Sequence, residues 1–324
     1  MGLDWRVGIK NMKNIQVAFF TEAGYSRGMG HLVRSFAISE KFKSLGVKTF
    51  FFLDSDVFFD DKFKDVVYFS WKDFELTDNY DIIFIDSYEA DISIYHKISR
   101  ACKVAVYVDD FKRFEYPKGV ILNFSPQACK TFYKLRKEYH IHLLGLKYIP
   151  IRPKFINIGT IKKKQIFIML GGSDTANLSL KLIYSLRDVA IKKLIVLNDA
   201  NIVNSLKTYK DVEVLHKPLD EQLVEAMASS TMAISTASMS TYELAYLKIP
   251  TIIIAVAKNQ EIGVAQFIKC NIATDFISIK NKDWQCDLKT KVKRIFYQDS
   301  HDFNQSIDGK GTENIVYEIL ELIK

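Results

Sequence analysis

A short apolar run followed by a glycine loop and a helical pattern occurs twice in this sequence, and this repetition constrains the fold most. In the first unit, apolar residues 15–20 precede Ser26-Arg27-Gly28-Met29-Gly30-His31, and apolar side chains then recur at helical spacing up to residue 46. In the second unit, apolar residues 166–170 precede Gly171-Gly172-Ser173-Asp174-Thr175-Ala176-Asn177 and a helical pattern from residue 178. The two units predict two open α/β domains, each with a polar loop at the carboxyl ends of its strands.

His31 lies directly behind Gly28 and Gly30 at the predicted start of the first helix. The free amides and the dipole of a helix N-terminus attract anions, and a histidine there can exchange protons near neutral pH. Because the dipole opposes a charged imidazolium, we expect a neutral ring that can accept a proton. The alternative interpretation is a surface histidine on an ordinary strand-to-helix turn.

Length and composition agree with two domains, since the chain has 324 residues of which 48% are hydrophobic. No apolar run reaches the ~18–20 residues that span a bilayer, and no apolar segment of a signal peptide follows the first residues. We interpret residues 1–11 as a leader and Met12 as an alternative start. The four cysteines have no metal or redox spacing, which is typical of reduced thiols in a cytoplasmic protein.

The net charge of +7 suits an anionic ligand without specifying one. Nucleic-acid binding would need a one-sided basic face with interleaved aromatic residues, and the sequence offers none. The densest basic run, residues 162–164, falls in the predicted linker, where it is typical of a solvated turn. We therefore expect a nucleotide diphosphate held by helix N-termini, and no nucleic-acid partner.

Strand and helix signals alternate in both halves, as in parallel sheets with crossover helices. We predict an N-terminal domain at 12–157 with the histidine loop, a nucleotide-binding domain at 158–310, and a C-terminal helix at 311–324 that returns to the first domain. If the domains face one another, both glycine loops line one cleft. A helix is predicted over 91–102. The predicted strands are residues 16–20, 48–53, 82–86, 104–108, 120–122, 166–170, 193–197, 212–215, 232–235 and 251–255.

Polar side chains follow several of these strands. Asp86 and Asp109-Asp110 end two strands of the first half, at the edge where open α/β sheets bind ligands. In the second half, Thr236-Ala237-Ser238-Met239-Ser240-Thr241-Tyr242-Glu243 leads into a helix. Its free amides can bind phosphate, and Glu243 can accept hydrogen bonds from a ribose. The equally supported alternative makes Ser240 or Thr241 the helix cap and Glu243 its capping-box partner.

Two further pairs of polar residues are candidate ligand or metal sites. Asn259 and Gln260 follow the strand at 251–255 and suit sugar hydroxyls, although such residues are more often solvated turn formers. His140 and His142 share one strand face, but no third ligand completes a metal site. We expect no metal and no cofactor.

Six motifs occur in one order along the chain. They are Gly28-Met29-Gly30-His31, Asp86-Ser87-Tyr88, Asp109-Asp110, Gly171-Gly172-Ser173-Asp174 with Asn177, residues 238–243, and Asn259-Gln260. From about residue 17 to 276 this set resembles the UDP-2,4-diacetamido-2,4,6-trideoxy-β-L-altropyranose hydrolase family of pseudaminic acid biosynthesis, which is related to MurG-type GT-B glycosyltransferases. The resemblance implies a GT-B-like fold of two Rossmann-type domains and metal-independent hydrolysis of a UDP-sugar to the free sugar and UDP.

The resemblance also implies roles for the matched residues. His31 would be the base that activates water, and Tyr88 would position the sugar or the water. Glu243 would hold the ribose, and Asn259 and Gln260 would contact the sugar or the phosphates. The remaining expected substrate-binding residues are Gly28, Gly30, Asp86, Gly171, Gly172, Ser173, Asn177, Ser238, Ser240 and Thr241.

Two departures from the family's pattern keep alternatives open. The family usually carries an arginine and an aspartate after the first strand, whereas this chain has Thr21-Glu22-Ala23-Gly24, and we interpret Glu22 as a stand-in for the acid. The chain also continues past Asp275 with a helical tail, as GT-B transferases do. The alternatives are therefore a glycosyltransferase of surface polysaccharide biosynthesis and a regulatory protein that binds sugar nucleotides. Retention of His31 argues against the regulatory alternative. Gly145, Tyr148, Arg152 and Phe155 also fit the family's pattern.

Overall fold

The structure is a computed structural model that describes residues 12–24, 27–58, 65–128, 133, 140–171, 178–206, 208–255 and 260–323, without the side chains of residues 260–262. The chain divides into two compact units. The first runs up to Pro150 and includes the segment from Gly309 onwards, and the second is Ile151–Asp308. The expected leader at residues 1–11 lies outside the described residues, and the expected cleft between the domains stays a prediction.

The first unit contains a seven-stranded parallel sheet with the order β3-β2-β1-β4-β5-β6-β7. Its interior strand β1 pairs with β2 on one side and β4 on the other, which brings Phe19 beside Phe51 and Phe84. All residues of β4 and β5 are buried, as expected for strands covered on both faces. The strands are β1 Gln16–Ala23, β2 Lys48–Ser55, β3 Val66–Tyr68, β4 Ile82–Asp86, β5 Val104–Val108, β6 Gly119–Asn123 and β7 His140–Leu144.

Three described helices belong to the first unit. Helix α1 is Gly30–Ser44, α2 is Ile92–Ala101 and α9 is Gly311–Glu321. Asp91 begins α2 by accepting a hydrogen bond from the amide of Ser93. The C-terminal helix α9 packs on the first unit, where Tyr148 donates to Glu318 at 2.6 Å.

The second unit contains a six-stranded parallel sheet with the order β10-β9-β8-β11-β12-β13. Two apolar clusters pack its strands against the helices: a larger one that includes Ile166, Ile234 and Ile252, and a smaller one that includes Ile253 and Val264. The strands are β8 Lys163–Met169, β9 Lys192–Leu197, β10 Val212–His216, β11 Ser230–Ser235, β12 Thr251–Ala255 and β13 Asp275–Ser278. The helices are α3 Leu178–Ser185, α4 Ala200–Leu206, α5 Asp220–Ser229, α6 Met239–Tyr246, α7 Gln260–Lys269 and α8 Trp284–Phe296.

The ten predicted strands all coincide with observed strands, whereas β3, β7 and β13 were not predicted. Each of these three strands lies at an edge of its sheet and is partly exposed, so its residues lack the continuous apolar run of a central strand. The division between the units also falls earlier than residue 157. Ile151 and Phe155 are buried and Arg152 pairs with Glu243, so this segment belongs to the second unit.

In the described part of the chain, every helix is too short or too polar to cross a membrane. Cys102, Cys270 and Cys286 are free thiols.

Candidate functional site

The glycine loop after β1 is closed by its own backbone. Gly24 and Gly28 exchange two hydrogen bonds of 2.8 and 3.1 Å, and both have positive φ angles, +151° and +71°. A Cβ at Gly24 would lie 1.7 Å from Oδ1 of Asp56, so a larger residue would have to displace that side chain and adopt a φ that favours glycine. A Cβ at Gly28 or Gly30 would meet no described atom within 4 Å. The loop thus delivers the chain to α1, whose first turn has no side-chain cap.

His31, in the first turn of α1, is buried, and its ring is hydrogen-bonded to a carboxylate at the end of β4. Only 6% of the residue is exposed, and its Nδ1 lies 2.6 Å from Oδ1 of Asp86, the last residue of β4. The interpretation of His31 as a surface histidine is therefore wrong. An ionised carboxylate can only accept, so Nδ1 carries the proton and Nε2 is left as an acceptor.

Asp86 is surrounded by donors. Arg34 donates to both of its carboxylate oxygens at 2.6 and 2.7 Å, and the hydroxyl of Ser35 adds a bond of 3.0 Å. Burial alone would raise the pKa of Asp86, but Arg34 and His31 outweigh it and hold that pKa well below its usual range. Because Asp86 is fully buried and both oxygens are occupied, the geometry assigns it to the support of His31 instead of the expected contact with substrate.

Arg34 joins two carboxylates. Its guanidinium binds Asp110 through two further bonds of 3.0 Å and lies over the ring of Phe124 at 5.3 Å. Burial alone would lower the pKa of Arg34, but Asp110 and Asp86 raise it well above its usual value. The permanent positive charge of Arg34 lies 3.3 Å from Nδ1 of His31.

Tyr88 covers the histidine. The two rings meet edge to face with centroids 4.4 Å apart, and the Tyr88 hydroxyl donates to Oδ2 of Asp110 at 2.5 Å. Burial and the negative charge of Asp110 raise the pKa of Tyr88 well above its usual value, so this hydroxyl stays protonated. Phe111, which is 65% exposed, lies beside it at 5.7 Å. The structure thus brings together His31 and Tyr88, the two predicted catalytic residues.

Two residues of this network were missed or only partly interpreted in the sequence. Arg34 was given no role, although its place three residues after His31 puts both side chains on one helix face. Glu22 was interpreted only as a stand-in for the family's acid. It is 1% exposed and accepts from the indole of Trp71 at 3.0 Å and from the amide of Tyr88 at 2.8 Å, so in this structure it binds the turn that carries Tyr88.

The hydroxyl segment of the second unit bonds mainly to its own backbone. Ser238 begins α6 without a side-chain cap, and its hydroxyl and that of Thr241 both donate to the carbonyl oxygen of Thr236, at 3.2 and 2.8 Å. Ser240 contacts the sulfur of Met169 at 4.0 Å. The alternative that Ser240 or Thr241 caps this helix is therefore wrong.

Glu243 makes an ion pair instead of a capping box. Arg152 donates to its two oxygens at 2.6 and 2.8 Å, and Glu243 is 1% exposed. Burial alone would lower the pKa of Arg152, but Glu243 and Asp220 raise it. Each oxygen of Glu243 keeps a second lone pair, so its expected contact with a ribose stays a prediction.

The other expected ligands of the second unit are only partly described. Gly171 lies two residues after the end of β8 and has a φ of +100°, and a Cβ there would lie 4.0 Å from the hydroxyl of Thr236. The Gly171 turn and the start of α6 are therefore neighbours. Four expected ligands lie outside the described residues, namely Gly172, Ser173, Asn177 and Asn259. The side chain of Gln260 is also outside the described part of the structure.

Across residues 12–323, apart from the undescribed gaps, no group of three or more His, Cys, Asp or Glu side chains comes together as metal ligands would. The ring of His140 lies against the carbonyl oxygens of Tyr116 and Pro117, at 2.9 and 2.8 Å from Nε2.

Comparison with known sequences gives two curated relatives. No family model matches the chain. Over 293 residues, 85% of this chain and 53% of the relative, it is 27% identical to a Helicobacter pylori protein named pseudaminic acid cytidylyltransferase and UDP-2,4-diacetamido-2,4,6-trideoxy-beta-L-altropyranose hydrolase. It is 24% identical over 276 residues, 74% of this chain and 55% of the relative, to an uncharacterized protein of Methanocaldococcus jannaschii. The chain spans about half the length of these relatives.

Comparison with solved structures gives matches along nearly the whole chain. The glycotransferase of kitacinnamycin superposes with a TM-score of 0.65 at 10% identity, over 95% of this chain and 99% of that one. MurG of Acinetobacter baumannii has a TM-score of 0.63 at 11% identity, over 95% and 99%. The UDP-GlcNAc 2-epimerase of M. jannaschii, solved with UDP-GlcNAc and UDP, has a TM-score of 0.63 at 9% identity, over 95% and 100%. With its two parallel sheets, the chain therefore has the GT-B fold.

Proposed function

We propose that this protein hydrolyses a UDP-activated, di-N-acetylated deoxy sugar to the free sugar and UDP, in the biosynthesis of a pseudaminic-type acid. The observation that carries the proposal is the buried Asp86–His31 pair beneath Tyr88, which leaves Nε2 of the ring as a proton acceptor. At a coarser level, the named activity of the H. pylori relative and the GT-B neighbours support an enzyme that acts on a UDP-sugar.

In the proposed reaction, Nε2 of His31 takes a proton from water while the water oxygen attacks the anomeric carbon. The bond between that carbon and the oxygen of UDP breaks, and UDP leaves with the electron pair. The proton on the ring then passes to solvent. Asp86 stabilises the transient imidazolium through Nδ1, as a buried carboxylate does for a catalytic histidine. No metal takes part in these steps.

In this scheme, the hydroxyl of Tyr88 donates a hydrogen bond and its ring packs against the imidazole of His31. Because its raised pKa keeps the hydroxyl protonated, it cannot serve as the base, which leaves that role to His31. Its ring, 43% exposed, covers one edge of the imidazole and can orient the sugar or the water. Gly28 and Gly30 leave space at the helix start for the close approach of a substrate.

The proposed UDP site lies at the carboxyl ends of β8 and β11. The start of α6 at Ser238, which has no side-chain cap, would present backbone amides to phosphate oxygens, and Gly171 would let the backbone approach them. Glu243, oriented by Arg152, would accept hydrogen bonds from the ribose. Ser240, Gly172, Ser173, Asn177, Asn259 and Gln260 complete the proposed set.

The test is incubation with a panel of UDP-sugars in ¹⁸O-water, followed by mass spectrometry of both products. We expect UDP release without an acceptor, and ¹⁸O in the sugar but not in UDP. Label in UDP alone would mean attack at phosphorus and would contradict the proposal. Release of UDP only when a hydroxyl acceptor is added would instead favour a glycosyltransferase, the alternative that the GT-B transferase neighbours keep open.

A further inference from the structure

The turn at residues 87–90, which carries Tyr88, is held between a buried anion and a cation. We propose that Glu22 and Arg113 are positioning residues, which bind the two sides of this turn and so keep Tyr88 over His31. The kinetic part of this inference rests on the proposed function, whereas its structural part does not.

Glu22 binds the amide side of the turn. Its carboxylate accepts from the Tyr88 amide at 2.8 Å, from the Glu89 amide at 3.4 Å and from the Ser87 hydroxyl. The Trp71 indole supplies a further bond of 3.0 Å. Both carboxylate oxygens are thus used within the protein, Oε1 by the Tyr88 amide and Oε2 by the other three donors.

Arg113 binds the carbonyl side of the same turn. Its guanidinium donates to the carbonyl oxygens of Ser87 and Ala90, the latter at 2.7 Å. Arg113 follows β5, whereas the turn follows β4 and Glu22 lies in β1. Three adjacent strands therefore contribute to one turn.

The arrangement matches the peptide dipoles of the turn with opposite charges. Two amides point to a carboxylate and two carbonyl groups point to a guanidinium, and hydrogen bonds to charged partners are about twice as strong as neutral ones. The Tyr88 side chain has far less support of its own. It is 43% exposed, and its hydroxyl bonds to Asp110. We infer that its place is determined by the turn and not by packing of the ring.

The structural test follows the titration of Tyr88 by NMR with [¹³Cζ]tyrosine, and Tyr88→Phe identifies its signal. In the wild type this signal should titrate well above the range of an ordinary tyrosine, because burial and Asp110 raise the pKa of the hydroxyl. In Glu22→Gln and Arg113→Met the ring should leave Asp110 and titrate near the ordinary value of about 10. Arg113→Lys, which keeps the charge, should restore part of the shift. Glu75→Gln and Arg100→Lys, both at exposed positions, are the matched controls.

The kinetic test is a double-mutant cycle. Glu22→Gln should lower kcat about 10-fold with little change in the affinity for UDP, and the same change in a Tyr88→Ala background should cost almost nothing more. The inference would be overturned if Glu22→Gln lowered kcat as much in the Tyr88→Ala variant as in the wild type. It would also be overturned if the Tyr88 titration were unchanged in both Glu22→Gln and Arg113→Met. If Glu22→Gln fails to fold, the two Arg113 variants decide. If the wild type hydrolyses no UDP-sugar, the proposed function fails, while the NMR result still decides the positioning role.

Discussion

The two candidate sites of this protein differ in how their polar groups are held. In the first unit, His31, Arg34, Asp86 and Asp110 form a continuous network of buried or half-buried charges under Tyr88. In the second unit, the hydroxyls at the start of α6 bond to their own backbone, with one ion pair nearby.

The difference indicates that the two sites have different chemical roles. A proton transfer needs an acceptor whose tautomer and orientation are set before the substrate arrives, and a network of fixed charges provides this. Binding of a diphosphate needs accessible amides, which short side chains at a helix start leave uncovered. We therefore expect mutations in the first site to lower turnover and mutations in the second site to lower affinity.

The largest expected effect is that of His31→Asn. Loss of a positioned general base should lower kcat by about 10²–10⁴-fold, while the affinity for UDP changes little because UDP is assigned to the other unit. Single-turnover kinetics and calorimetric UDP binding measure the two effects. His96→Asn, at an exposed position on α2, is the control. Near-normal turnover of His31→Asn would contradict the assignment of turnover to the first site and of UDP affinity to the second.

Asp86→Asn should destabilise the first unit by about 3 kcal/mol at neutral pH, because Arg34 loses a buried partner. The sign of the pH dependence follows from the lowered pKa of Asp86. Its stabilisation is complete above the unfolded value of about 4 and is lost as the pH falls through the folded value. The wild type and the variant should therefore converge in strong acid. Urea unfolding between pH 7 and pH 2 measures this, with Asp73→Asn as an exposed control. A constant difference across that range would contradict it.

Glu243→Ala should weaken UDP binding about 10-fold, a loss of about 1.4 kcal/mol, and leave kcat at saturating substrate nearly unchanged. The reason is the loss of the proposed acceptor for the ribose. Glu225→Ala, at an exposed position on α5, should bind UDP normally. Unchanged affinity in Glu243→Ala would reduce Glu243 to the structural partner of Arg152.

A last expected effect is stabilisation of the folded protein by UDP itself. At about 100 times its dissociation constant, a ligand that binds the folded state alone adds about 2.7 kcal/mol, which raises the melting temperature by a few degrees. We expect the same shift with and without EDTA, as measured by thermal unfolding. Loss of the shift in EDTA would mean that a metal ion bridges UDP and the protein.

Much of the fold could be predicted because its signals are local. The buried strands β4 and β5 are almost continuously apolar, and the glycine loops mark the turns that follow β1 and β8. The edge strand β3 escaped prediction because it is three residues long and two of them are exposed.

Less of the candidate site could be predicted. His31 was selected from its place behind two glycines and Tyr88 from a resemblance in ordered motifs, and the structure places their rings in contact. The function of Glu22 could not be predicted, because a carboxylate at the end of a strand has the same local sequence whether it faces a ligand or a neighbouring turn. Glu243 was likewise consistent with a capping box until Arg152 was seen to bind it.

The alternation of strands and helices, the two glycine loops and the place of His31 behind the first loop follow from the sequence alone, because these features depend on neighbours a few residues apart. Which charged side chains meet depends on the folded chain. Arg34 reaches Asp110, 76 residues away, and Arg152 reaches Glu243, 91 residues away. The first of these contacts depends on the order β1-β4-β5 within the sheet, which differs from the order of the strands along the chain. Only the assembled sheet therefore shows which carboxylate supports the histidine and which carboxylate holds the turn above it.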